Sequence, residues 1–202
     1  MATGRITYFD TLGVQRQVKP SREGSIWPRS FSSTPLRRIY KAVLERLDPS
    51  LNAAFVNYGG DRNGFLPADD VHPKWYKAQA KRESNGSPSI RKILERNQQL
   101  IVQVSQDPRG HKGALLTTFV SLPGRFLVLM PYKAKNGVSR KIQDEAERER
   151  LKKVLDEINP SEDMGFIART AAEGKGKNEL QKEARALRRL WQGIAEKAKT
   201  VS

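Results

Sequence analysis

From Leu36 the chain breaks into short apolar runs separated by turn residues. Residues 38–47 (RIYKAVLERL) alternate apolar and polar side chains, with Ile39, Tyr40, Val43 and Leu47 as inward candidates. A helix competes locally, but Pro49 and the turn after it favour a strand. Residues 53–58 read as a second strand, turned at Gly59-Gly60 into a third at 63–66. Residues 99–105 (QLIVQVS) and 114–120 (ALLTTFV) are two more β-rich runs. Ahead of both, 89–96 (SIRKILER) predicts a short helix with Ser89 as its cap. Five short strands with one helical insert predict an OB-type Greek-key barrel over residues 36–120.

The pattern then changes. Pro123-Gly124 bends the chain before an apolar strand at 125–130 (RFLVLM), and 138–141 (VSRK) follow. Residues 145–158 predict an amphipathic helix whose face is Leu151, Val154, Leu155 and Ile158. Residues 166–170 (FIART) read as a strand and Gly174-Lys175-Gly176 as a turn. Residues 178–199 give the clearest helix, with Leu180, Ala184, Leu187, Trp191 and Ile194 as its stripe. Its basic remainder reads as a solvated face. Strands alternating with helices make 121–199 a small α/β unit, so the fold class is α+β. Residues 1–35 differ from both. Residues 5–10 (RITYFD) suit one strand, while 18–35 are rich in Ser, Pro and Arg and read as an arm.

Charge adds a direction. The 202 residues include 37 Lys+Arg against 22 Asp+Glu, a formal net charge of +15, with a pI near 10.2. Such an excess favours a polyanion, and phosphate neutralisation with counterion release makes nucleic acid the first candidate. Other surface-basic proteins share the balance, so charge alone leaves the partner open. Cysteine is absent, which excludes disulfides and thiolate zinc sites. No apolar run approaches the ~20 residues that span a bilayer, so no membrane role is expected. An Arg- and Ser-rich arm also suits an organellar leader. Asp10, Glu23 and the lack of a basic amphipathic helix favour a cytoplasmic location, with an organelle matrix as the alternative.

Three segments narrow the function: AAFVNYGGDRNGFLP (53–67), PRGHKGALLTTFVSLPGRFLVLMP (108–131) and GFIARTAAEG (165–174). In this order and spacing they resemble the amino-terminal half of the bacterial ribonuclease E/G endoribonucleases. The resemblance runs from about residue 38 to 191. It implies an S1-like RNA-binding domain for the barrel and a 5′-end sensor for the α/β unit. The region 1–35 would correspond to a strand region of a ribonuclease-H-like domain completed far downstream. On residue type alone, a Phe in a strand is usually core. The resemblance instead makes Phe55, Phe65 and Lys112 RNA contacts, the rings stacking on bases and the ammonium meeting a phosphate. Arg62 and His111 are peripheral candidates. The resemblance also places a 5′-monophosphate pocket at Gly124, Val128, Arg169 and Thr170, with Arg140 a weaker member. A guanidinium fork accepts two phosphate oxygens at once.

Two departures are local: Ala42 replaces the family's usual Gly, and Asn57 its usual acidic residue. The larger one is that the chain stops where the family's catalytic domain would begin. The family cleaves RNA with a carboxylate-held metal in a downstream domain and often joins subunits through a Cys-x-x-Cys zinc link. Neither can be placed here, so no catalytic residue, metal or cofactor is assigned, Mg would belong to the absent domain, and no cleavage is expected of this chain alone. Asp69, Asp70 and His72 form the only compact acid/His cluster. Adjacent acids diverge in a strand, and turn capping is the simpler role. The expected partner is single-stranded RNA with a 5′-monophosphate, in an RNA-decay complex or at a ribosome. Two other readings stay open: a fragment of an active endoribonuclease, and a structural rRNA-binding protein.

Overall fold

The computed structural model describes residues 6–9, 15–18, 38–78, 80, 88–160 and 164–200. Most of the 1–35 arm lies outside the described residues. The chain forms two compact units that divide between Phe119 and Val120.

The first unit is built on β3 (Ile39–Asp48), long enough to pair with two partners. Its first half pairs with β6 (Gln99–Gln106) and its second with β4 (Ala53–Asn57). β4 pairs with β5 (Gly64–Pro67), β5 runs parallel to β7 (Leu115–Thr117), and β7 returns to β6. The circuit β3-β4-β5-β7-β6-β3 is a closed five-stranded barrel of OB type. The hairpin β1 (Ile6–Phe9) and β2 (Gln15–Val18) joins β3 through Tyr8 opposite Tyr40 and Phe9 opposite Ile39.

The phase of β3 corrects one expectation. Tyr40, Ala42 and Leu44 point inward at spacing two, while Val43 is exposed. Ile39 is buried as well, so the apolar run Ile39-Tyr40 conceals the true phase. A bulge between Leu44 and Arg46 shifts the register to β4 and bends the strand into the barrel wall. Ala42 sits outside that bulge, in regular register with Leu100.

Leu44, Val56, Leu66, Leu100, Val102 and Leu116 fill the interior, and α1 (Ile90–Ile93) plugs it with Ile90, Ile93 and Leu94. The helix is one turn, shorter than the pattern predicts, and the Ser89 hydroxyl makes no cap bond. Asn52 does that work from the β3–β4 turn. At φ 46° it accepts from the Ile90 N–H at 2.8 Å and donates to the Pro88 carbonyl at 3.0 Å. A short amide tolerates that backbone and offers both hydrogen-bonding groups.

The second unit is a four-stranded sheet in the order β10-β11-β9-β8: β8 (Leu122–Pro123), β9 (Leu127–Met130), β10 (Gly137–Val138) and β11 (Gly165–Ala168). Leu122, Leu127, Leu129, Phe166 and Ala168 are its buried side chains. They pack with α2 (Glu145–Ile158) and α3 (Lys177–Thr200). Asp144 caps α2 by accepting from Ala146 N–H at 2.9 Å and Glu147 N–H at 3.3 Å. Leu151, Leu155 and Ile158 are buried with the whole predicted stripe of α3, while Val154 is only half-buried. The strand expected at 166–170 ends at Ala168. Arg169 is extended, and Thr170 opens a 3-10 turn (Thr170–Ala172).

Candidate nucleic-acid interface

On the barrel, register aligns the candidate aromatics. Phe55 is the direct partner of Phe65 across β4 and β5. Their rings meet edge-on, 5.8 Å between centroids and 71° between planes. Both point away from the buried cluster and are half-buried, so the usual core role of a strand Phe does not apply. Arg46 is the cross-strand partner of Phe55 on its other side, and its guanidinium lies 4.3 Å from the Phe55 ring centroid. One outward stripe therefore runs Arg46, Phe55, Phe65. Sequence reading missed Arg46, because only the register reveals it.

Lys112 is carried by a tight turn in which Arg109 and Lys112 exchange backbone bonds, N–H to carbonyl, at 3.2 and 3.0 Å. Gly110 at φ 55° permits the turn. Gly113 lies so close to the Asn63 carbonyl that a Cβ there would overlap it. Arg62 Nη1 donates to the His111 carbonyl at 2.5 Å. Arg62 thus ties down the turn that presents exposed Lys112.

In the second unit, Arg169 joins the β8–β9 turn directly. Its Nη1 donates to the Gly124 carbonyl at 2.5 Å, and its N–H to the Phe126 carbonyl at 2.8 Å. Gly124 N–H closes the turn on the Leu127 carbonyl at 2.7 Å. Val128 faces outward between Pro123 and Ile167 on neighbouring strands. Arg169 and Thr170 are exposed. Sequence reading missed Glu183 of α3, whose carboxylate accepts from three successive backbone N–H groups: Arg125 (2.6 Å), Phe126 (2.9 Å) and Leu127 (2.8 Å). Arg140 follows β10, and the structure shows no bond from it to these residues.

The loop after Thr170 is fastened in turn to α2. Glu147 accepts from Arg150 Nε and Nη2 at 2.6 and 2.7 Å and from Gly174 N–H at 2.8 Å. Arg150 Nη1 donates to the Lys175 carbonyl at 3.0 Å. The Arg150 bond, then that to Gly174, holds the Glu147 carboxyl down to about 2.

Asp69 and Asp70 lie in one 3-10 turn, and the Asp70 carbonyl accepts from Thr118 N–H at 2.9 Å. His72 caps the next turn, its Nδ1 accepting from Lys74 N–H at 3.1 Å. Among the described residues, no three acidic or histidine side chains gather as a metal centre requires. Among them, no helix is long and apolar enough to cross a membrane.

Residues 121–202 match the model of the Ribonuclease E/G family. Ribonuclease G of Escherichia coli (strain K12) is 44% identical over 196 residues, 96% of this chain. Ribonuclease E of Haemophilus influenzae is 44% identical over 157 residues, 77% of the chain, and that of Escherichia coli (strain K12) 40% over 163 residues, 80% of the chain. The chain belongs to the ribonuclease E/G family. It spans 38% of the length of that ribonuclease G and 16% and 15% of the two ribonucleases E. The ribonuclease E/G family is one of RNA-processing ribonucleases.

Proposed function

We propose that this chain binds single-stranded RNA on the barrel and recognises a 5′-monophosphate end with the second unit, a noncatalytic role in RNA processing or decay. In this reading residues 36–120 are the S1-like grip. Phe55 and Phe65 stack bases, and Lys112 meets a backbone phosphate as a point charge. Residues 121–199 are the end sensor, with Gly124, Val128, Arg169 and Thr170 around the phosphate. The observation that carries the sensor is the Arg169–Gly124 bond. It fixes an exposed guanidinium through one nitrogen, beside a strand end where a planar fork can take two phosphate oxygens. The Thr170 hydroxyl is the next side chain along.

Fluorescence anisotropy with matched oligonucleotides tests the reading. A 5′-monophosphate should bind more tightly than a 5′-hydroxyl by about 1.5–3 kcal/mol, the range for charge-assisted hydrogen bonds. Arg169→Ala should remove that preference and leave the 5′-hydroxyl affinity nearly unchanged. Arg169→Lys should restore only part of it, because an ammonium cannot chelate two oxygens in a plane. Equal affinity of the unmutated chain for both ends would remove the sensor while leaving the barrel grip.

A further inference from the structure

The aromatic stripe does not end at the two phenylalanines. Arg46, over the Phe55 ring, has a 65% exposed side chain and a long 3.8 Å contact to Asp48 as its ion pair. Beside it opens a cleft of about 570 Å³ lined by Glu45, Arg46, Leu47, Asn63, Arg91 and Arg96. Three guanidinium groups face one carboxylate, and that carboxylate is engaged elsewhere. Glu45 Oε1 accepts from Asn57 Nδ2 at 2.9 Å and Oε2 from Asn63 Nδ2 at 2.6 Å. Both oxygens are satisfied by neutral amides, so the arginines keep their forks for an incoming anion. Arg91 comes from α1 and Arg96 from the turn just after it. Asn52 pins that helix against the barrel, so both cations have a fixed base.

We propose that this cleft is a further RNA subsite, which takes the nucleotide adjoining the one stacked on Phe55 and Phe65. Its base extends the stack over the Arg46 guanidinium and the half-buried Leu47, and its phosphate lies against Arg91 and Arg96. The inference rests on the stacking role of the two phenylalanines. A single-stranded polynucleotide fits because guanidinium planes both stack on bases and chelate phosphates. A duplex would not expose its base faces to the stripe.

The test uses a 5′-hydroxyl oligonucleotide, so end recognition is silent, and follows affinity against salt by anisotropy. Each lost phosphate contact on a single strand lowers the slope of log K against log salt by about 0.7. R91A/R96A should therefore lower it by about 1.4, which at ~0.1 M salt is roughly 25-fold in affinity. Arg46→Lys keeps the charge and loses the plane, so affinity should fall several-fold with the slope unchanged. Thermal melting of each variant checks that the barrel is intact. Unmutated slope and affinity in folded R91A/R96A would overturn the cleft, and F55A/F65A then shows which reading failed. Weakened binding in F55A/F65A leaves stacking standing without the cleft. Unchanged binding in that variant removes stacking itself, and the cleft falls with it.

Discussion

Glu183→Ala is the sharpest perturbation that the second unit offers. One carboxylate on α3 receives three consecutive N–H groups from the β8–β9 turn, at 2.6, 2.9 and 2.8 Å. Hydrogen bonds to a charged partner contribute about 1.5–3 kcal/mol each. Arg125 is exposed, so water replaces its bond at little cost. Phe126 is half-buried and Leu127 fully buried, so two bonds count. Glu183 is itself half-buried, and solvent screening trims their sum to about 2–4 kcal/mol. Urea denaturation followed by circular dichroism reads this directly. Glu183→Gln, which can still accept but carries no charge, should lose roughly half as much.

The same turn supplies the Gly124 carbonyl that anchors Arg169. Folded Glu183→Ala protein should therefore show a reduced preference for 5′-monophosphorylated RNA. Gly124→Ala attacks the same knot from the other side, since its Cβ would lie 2.8 Å from Glu183 Oε1. The two substitutions should be markedly less than additive in the double variant, as expected of residues sharing one interaction. An increased preference in Glu183→Ala would refute the positioning argument. It would mean that the carboxylate fills an anion-binding turn and competes with phosphate. A stability loss below about 0.5 kcal/mol would refute the energetic argument, placing the site among neutral surface positions.

Two further outcomes are expected. Phe55→Ala and Phe65→Ala should each weaken single-stranded RNA binding by about 1–3 kcal/mol in anisotropy titrations, with little change in melting temperature because neither ring belongs to the buried cluster; unfolding without a separable binding loss would return both rings to the core. Glu147, held down to about 2 from an ordinary 4.5, contributes stability that is fully present above pH ~4.5 and lost as pH falls towards 2. Glu147→Gln should flatten that part of the melting temperature–pH curve, and an unchanged curve would sink the assignment.

What the sequence displays is local periodicity. That was enough for α2 and α3, whose buried stripes repeat at three and four, and for the strands that close the barrel. It was not enough for phase or partnership. Val43 looked inward because Ile39 and Tyr40 are both buried, which blurs the two-residue alternation. Ser89 had the right residue type for a cap, yet Asn52, distant in sequence, makes the bonds. Arg46 belongs to the aromatic stripe only through the register of β3 against β4, and no spacing along the chain encodes that. Glu183 sits among the charged residues of a basic helix, where it reads as solvated, until the fold brings the β8–β9 turn to it.

The carboxylates near the candidate sites share a physical logic that bears on how a chain with 22 acidic residues can offer cationic surfaces to a polyanion. At three points a carboxylate beside a candidate binding group is already engaged: Glu45 by two amides, Glu183 by three backbone N–H groups, and Glu147 by Arg150 and Gly174. An engaged carboxylate keeps its charge, but at least half of its lone-pair sites are taken and its orientation is fixed, so it competes less well for an arginine fork. Arg91 and Arg96 on the barrel, and Arg169 on the second unit, can then meet phosphate without first breaking a strong ion pair. Releasing Glu45 should therefore weaken RNA binding even though its charge is unchanged. That separates local hydrogen-bond chemistry from the long-range attraction of a net charge of +15, which alone would gather any polyanion.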